Sequence, residues 1–221
     1  MALGACLLVV IEALAVTPVQ ASGRCVPIAN ANLVGCNFSG QDLANVNLSG
    51  SNLTRAVLDH TDLTGANLTG SIFAKATLLN ANLSRTYVRQ TNFTGANLTG
   101  AIFRDAAFQA AILSRARFAG AIFTGITNEG GITGKPLTLP AGWHLVKGYL
   151  VGPGSNLSDA DFANARLIGV DLAGANLTGA ILTRANLSRA VLTGVISKDI
   201  IGTPAALPPG WSLVDGKLVN S

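Results

Sequence analysis

The chain has 221 residues, of which 12% are charged and 5% aromatic, and Lys+Arg 15 against Asp+Glu 11 gives a net charge of +4. That balance falls short of a polybasic nucleic-acid domain, and the 2 His and 3 Cys have no zinc-type spacing. The mean hydropathy of +0.44 reflects an interior of Leu, Phe and Ala plus one apolar leader.

Residues 1–21 read MALGACLLVVIEALAVTPVQA. The apolar run from Ala2 to Val16, Pro18 near its end and Val19-Gln20-Ala21 resemble a secretory signal with a small-residue cleavage site. This predicts a secreted or cell-envelope protein whose mature N-terminus is Ser22. No Lys or Arg precedes the run and Glu12 interrupts it, so an uncleaved anchor is the second reading. The run is short of the about 20 apolar residues of a membrane span. Leu3-Gly4-Ala5-Cys6 lacks the preceding apolar segment of a lipidation box. Removal of the leader takes away Glu12 and no basic residue, for a net charge of +5.

Residues 22–30 are the expected N-terminal cap. Cys25 lies in it and Cys36 just beyond. Two cysteines in an oxidising compartment suggest a disulfide pinning the cap. The other reading makes Cys36 a small core residue, which a free cysteine resembles.

Residues 31–125 carry Leu, Phe or Val at every fifth position, nineteen times from Leu33 to Phe123. On an α-helix, five residues turn the chain by about 500°, so successive centres would drift by ~140°. On a flat strand, an odd period would put them on opposite faces. Only a chain that turns a corner every five residues returns each centre to one interior, and four corners close a coil of twenty. The residue two before each centre (Ala31, Cys36, Ser51, Ala56, Thr61) is small, with Gln41 the bulky polar exception. It therefore also points inward. Gly two after the centre (Gly35, Gly40, Gly50) suits a corner of unusual backbone angles. The motif ANLTG recurs in phase at residues 66–70, 96–100 and 175–179. It strongly resembles the pentapeptide-repeat family. The resemblance implies an all-β fold, a right-handed quadrilateral β-helix with hairpin caps, and no enzymatic activity or cofactor attached to the repeat.

Residues 126–154 interrupt the array, residues 155–194 hold eight further repeats (Leu157 to Leu192), and residues 195–221 end the chain. Residues 134–151 match residues 202–219 without gaps. Each copy has an apolar segment beginning at Trp143 or Trp211, a two-residue turn, and a second apolar segment. Asp215-Gly216 is a strong type I′ hairpin signal, and Lys147-Gly148 occupies the same place. A solenoid end exposes core and strand edges, so these hairpins read as caps. The alternative makes Trp143 and Trp211 aromatic binding platforms. The 34 residues from Phe123 to Leu157 are not a multiple of five, so phase is lost along the chain. Two solenoid blocks and one solenoid with a looped-out hairpin both fit.

No nucleophile-base-acid set and no phosphate loop introducing a helix occurs. His60 and His144 lie in unrelated segments, and ten N-x-[ST] sequons arise from the repeat itself. Asp42 and Asp62 stand one coil apart, either as a cation-binding pair or as caps on local turn amides. Arg55, Lys75 and Arg115 share one repeat position at multiples of twenty, with Gly95 at the missing step. Stacked at about 4.8 Å they span ~15 Å of one face, extended by Arg117 and Arg104. This is a candidate anion-binding column, or simply a solvated surface. The leading function is a non-enzymatic exported scaffold or interaction module with a protein or envelope polymer as partner. An envelope carbohydrate- or anion-binding protein comes second. A gyrase-binding DNA mimic, which some family members resemble, would need an acidic rod. Membrane contact is expected only through an uncleaved leader.

Overall fold

The computed structural model describes residues 25–127 and 129–220; the leader, Cys6 and the cleavage site before Ser22 lie outside the described residues. Each five-residue unit closes on itself through a turn. The N–H two before a centre donates to the carbonyl of the preceding centre, as Cys36 to Leu33 at 3.1 Å and Ala56 to Leu53 at 3.0 Å. Such a turn needs a left-handed residue at its third position. Gly35 fills it at φ 69°, and one coil later Arg55 fills it at φ 59°.

Four turns bring the chain above its starting point, and each side pairs in parallel with the residue twenty positions on. Side one runs through Asn32, Asn52, Ile72, Asn92 and Ile112; side two through Asn37, Val57, Thr77, Asn97 and Arg117. Side three runs through Asp42, Asp62, Asn82, Ile102 and Ile122; side four through Asn47, Asn67, Tyr87, Ala107 and Thr127. In each rung one residue uses both backbone groups. Asn52 donates to Ala31 O at 2.9 Å and accepts from Leu33 N–H at 2.8 Å. The sides are single-residue bridges rather than extended strands, because too few residues separate consecutive turns.

The centres fill the interior: Leu48, Leu53, Leu58, Leu63 and Leu68 are fully buried, each such side chain contributing about 2 kcal/mol. The small inward positions leave no room for more. Where they carry hydroxyls, these bond to backbone carbonyls, as Thr61 to Phe38 O at 2.8 Å and Thr86 to Leu83 O at 2.7 Å. Phe103, Phe108, Phe118 and Phe123 pack ring against ring, and Trp143 closes the stack, its ring edge-on to Phe123 at 5.2 Å.

The interruption is an insertion within one coil. Ile112 pairs with Thr133 and Arg117 with Thr138, one residue beyond the usual spacing, while Thr127 pairs with Asn156, twenty-nine residues on. Side four therefore continues without a break into Asn176 and Ile196. Phase lost along the chain is regained in space, and the molecule is one solenoid. The extra residues form a hairpin of β1 (His144–Val146) and β2 (Tyr149–Val151), β1 starting one residue after the expected Trp143. Its turn residues Lys147 and Gly148 both have positive φ, 49° and 82°, the type I′ geometry.

This hairpin lies across the interior. Leu150, with Leu145 packed alongside, belongs to the first core, while Val151, Val146 and Tyr149 belong to the second. Alternate side chains of one layer thus seal two cores. Gly152 lies so close to the Trp143 indole that an added Cβ would overlap the ring. A second hairpin, β3 (Trp211–Val214) and β4 (Lys217–Asn220), covers the last coil. Leu218 is buried there and Trp211 and Leu213 pack on the same core. The two copies repeat one contact: Ile132 N–H donates to Gly148 O at 3.1 Å, and Ile200 N–H to Gly216 O at 2.9 Å.

Candidate functional site

The side chains that could do chemistry are mostly held by their own turns. Asp42 Oδ1 accepts the Ala44 N–H at 3.0 Å, and Asp62 Oδ1 accepts the Thr64 N–H at 2.9 Å and the Thr64 hydroxyl at 2.5 Å. The Thr64 hydroxyl, then its N–H, hold the Asp62 carboxyl below its usual range, against a small opposing effect of burial. Asp42 and Asp62 do stand one above the other, but among the described residues no group of three or more His, Cys, Asp or Glu could hold a metal ion. His60 sits at a left-handed corner and His144 opens β1, in separate parts of the rod.

Cys25 and Cys36 are joined by a disulfide, with Cα atoms 5.7 Å apart. Cys36 is also buried at a small inward position, as a disulfide-bonded residue and not as the free core cysteine of the second reading. Trp143 is 8% exposed and offers no open ring face; Trp211 is half-buried against the second core.

Arg55, Lys75 and Arg115 are exposed and share the corner between sides one and two, all left-handed at φ 59°, 59° and 58°. The Lys75 stem lies over Gly95, 3.6 Å from where a Cβ would stand. Arg117 is on side two next to this corner. Arg104 follows Phe103 on side three, at the diagonally opposite corner, and does not extend the column. Two residues that the sequence reading missed do extend it. Arg115 N–H donates to Lys135 O at 2.8 Å, which places Lys135 one coil further along. Arg184 occupies the same corner of the second array, between Ile181 and Asn186. Lys135 lies twenty residues after Arg115, beyond the last regular repeat, while counting in fives could not find Arg184 because the insertion shifts the register.

The column leads to an opening. At the inserted hairpin only side four carries a backbone bridge from one array to the next; among the described residues none joins Thr133 to Asp161 or Thr138 to Arg166. On side one the hairpin tip closes the break. Lys147 Nζ stands 3.3 Å from Asp161 Oδ1 and donates to Ala163 O at 3.0 Å. The Tyr149 hydroxyl accepts the Asp161 N–H at 3.3 Å. The Ala163 N–H, then Lys147, hold the Asp161 carboxyl below its usual range, desolvation opposing them weakly. On side two the break stays open as a cleft of about 690 Å³ between residues 134–139 and 166–170, with β1 as its floor.

Models of pentapeptide repeats match residues 31–70, 51–90, 61–100 and 155–194, and a second such model matches residues 89–128. The chain belongs to the pentapeptide-repeat family. Membership implies a right-handed β-helix. Among solved structures, this pentapeptide-repeat protein is similar to HetL, a heterocyst differentiation regulation protein of the cyanobacterium Nostoc sp. strain PCC 7120. That likeness has 22% identity and a TM-score of 0.37, over 78% of this chain and 87% of that one. A pentapeptide repeat protein of the Arabidopsis thaliana thylakoid lumen is 29% identical, over 48% of this chain and 70% of that one, with a TM-score of 0.32. The plasmid-mediated fluoroquinolone resistance protein QnrB1 is 16% identical, over 73% and 91%, with a TM-score of 0.34. No curated protein matches the chain significantly.

Proposed function

We propose that this pentapeptide-repeat protein is an exported, non-enzymatic scaffold whose rod presents an interaction surface to a protein partner. The observation that supports this best is the cleft that the break at the inserted hairpin leaves on side two. A rod continuous along side four holds a cleft open on side two, while Asn and Asp side chains on the other faces, such as Asn52, Asp42 and Asn67, are occupied by their own turns. Export rests on the apolar leader of residues 1–21. Cell fractionation with N-terminal sequencing and cross-linking of the full chain in intact cells tests the reading. The expected result is an extracytoplasmic protein beginning at Ser22 and cross-linked to a partner. A cytoplasmic chain that retains Met1 would overturn the export half, and one recovered only as uncross-linked monomer would overturn the scaffold half.

The second reading, an anion-binding envelope protein, is favoured by the basic corner of Arg55, Lys75 and Arg115, now joined by Lys135 and Arg184. Binding to cell-wall preparations that disappears as salt rises would support it. A DNA mimic needs a rod of the opposite charge, and inhibition of a purified topoisomerase is not expected.

A further inference from the structure

Resting on the scaffold reading, we propose that the side-two cleft binds one extended peptide segment bearing carboxylate side chains, which adds as a strand between the two arrays. In intact rungs the bridge residue spends both backbone groups on the coil before it. Asn186 donates to Ala165 O at 2.9 Å and accepts from Leu167 N–H at 2.8 Å, and Arg117 does the same with Ala96 and Leu98 at 3.0 and 2.8 Å. Arg166 holds the equivalent place, yet among the described residues neither its N–H nor its C=O has a partner. Across the cleft, the groups that would meet it are Leu137 C=O and Leu139 N–H, which flank the bridge residue Thr138, and these are unpaired too. Two strand edges therefore face each other with the hairpin layer holding them apart.

Unpaired edges are templates for strand addition. The same break on side one is closed by Lys147 and Tyr149, whereas on side two it opens as the cleft. Its walls suit one face of an extended peptide: Leu137 is 50% exposed and Ile168 36%, with Leu145 and Val146 below them. Its rim suits the other face. Lys135, His144 and Arg166 line the cleft, and no Asp or Glu does. Since side chains alternate along a strand, a segment of alternating apolar and acidic residues would meet both. The C-terminal copy of the segment has Thr203 where Lys135 stands, so its edge lacks that charge.

The test titrates the full chain into a fluorescently labelled peptide of alternating valine and glutamate, followed by anisotropy and by hydrogen exchange at single amides. Saturable binding below the millimolar range is expected, with new protection at the Arg166 and Leu139 amides. Arg166→Glu and, independently, Lys135→Glu should each weaken binding on the order of tenfold. Both residues are exposed, so the variants keep the fold. The same peptide N-methylated at alternate amides should not bind, and a valine-lysine peptide should not either. Equal binding of the N-methylated peptide, indifference to both charge reversals, or no saturable binding would overturn the proposal. So would polyphosphate binding that depends on Arg166 without a bound peptide, which would make the cleft an anion site. Cross-linking in intact cells reads the scaffold separately: a partner captured by a chain whose cleft binds no peptide removes the cleft and leaves the scaffold standing.

Discussion

At the corners, single residues carry a backbone conformation that L side chains resist. Ala110 sits there at φ 53° without the local side-chain hydrogen bond that lets Asn or Asp tolerate this region. Ala110→Gly should therefore stabilise the protein by about 1 kcal/mol, seen as a higher melting temperature; an unchanged or lower one would mean that the corner is unstrained. Glycine is favoured for a second reason at Gly125, where an added Cβ would meet the Asp105 carboxylate of the coil before and force that side chain to turn away. Asp62 provides a titration test. Its carboxyl is held below the usual range by the Thr64 hydroxyl and N–H. The stability this contributes is present above the ordinary carboxylate range and is lost as pH falls through the native value. In Thr64→Ala the stronger donor is gone, and the Asp62 titration followed by NMR should move up toward the ordinary range. The inward and outward assignment of these positions was legible in the sequence because one five-residue period serves both the corner and the core. Occupation of left-handed corners by Arg, Lys and His was not, because glycine alone advertises that conformation.

Among the elements, the N-terminal disulfide and the two hairpins hold the ends and the middle. Replacing both Cys25 and Cys36 by Ala opens a loop of sequence separation 11 and should cost about 3 kcal/mol on the chain-entropy model. The loss should appear as early hydrogen exchange in the first coil, and exchange that stays uniform along the rod would count against it. Deleting residues 202–221 bares Leu192 and the second core that Leu218 and Trp211 cover. The truncated chain should melt lower and associate end to end, which size-exclusion chromatography reads directly; a monomer of unchanged stability would count against the capping role. Both hairpins were legible from Lys147-Gly148 and Asp215-Gly216. Their different settings were not. Tyr149 of the inner copy packs on Phe162 at 5.2 Å between ring centroids, while its counterpart Lys217 is exposed. A tyrosine there lets a further coil stack, and a lysine blunts the edge.

For the whole molecule, the spacing of Leu, Phe and Val predicted the solenoid, but the 34-residue gap hid its continuity. Thr127 meets Asn156 because the insertion fills its own coil and returns to phase, a fact that exists in space and has no trace in the count of residues. The cleft and the extension of the basic corner to Arg184 were hidden for the same reason. That single seam also has a mechanical meaning. Pulled from its ends, an evenly laddered rod shares tension among four sides, whereas here the load crossing the junction concentrates on the Thr127–Asn156 side and on the Lys147–Asp161 clasp. In an optical trap the rod should yield first at this joint, as two separately unravelling lengths, and Lys147→Ala should lower the force of that first event alone. Rupture beginning instead at either end would mean that the hairpin's apolar faces bind the halves more firmly than the missing rungs weaken them.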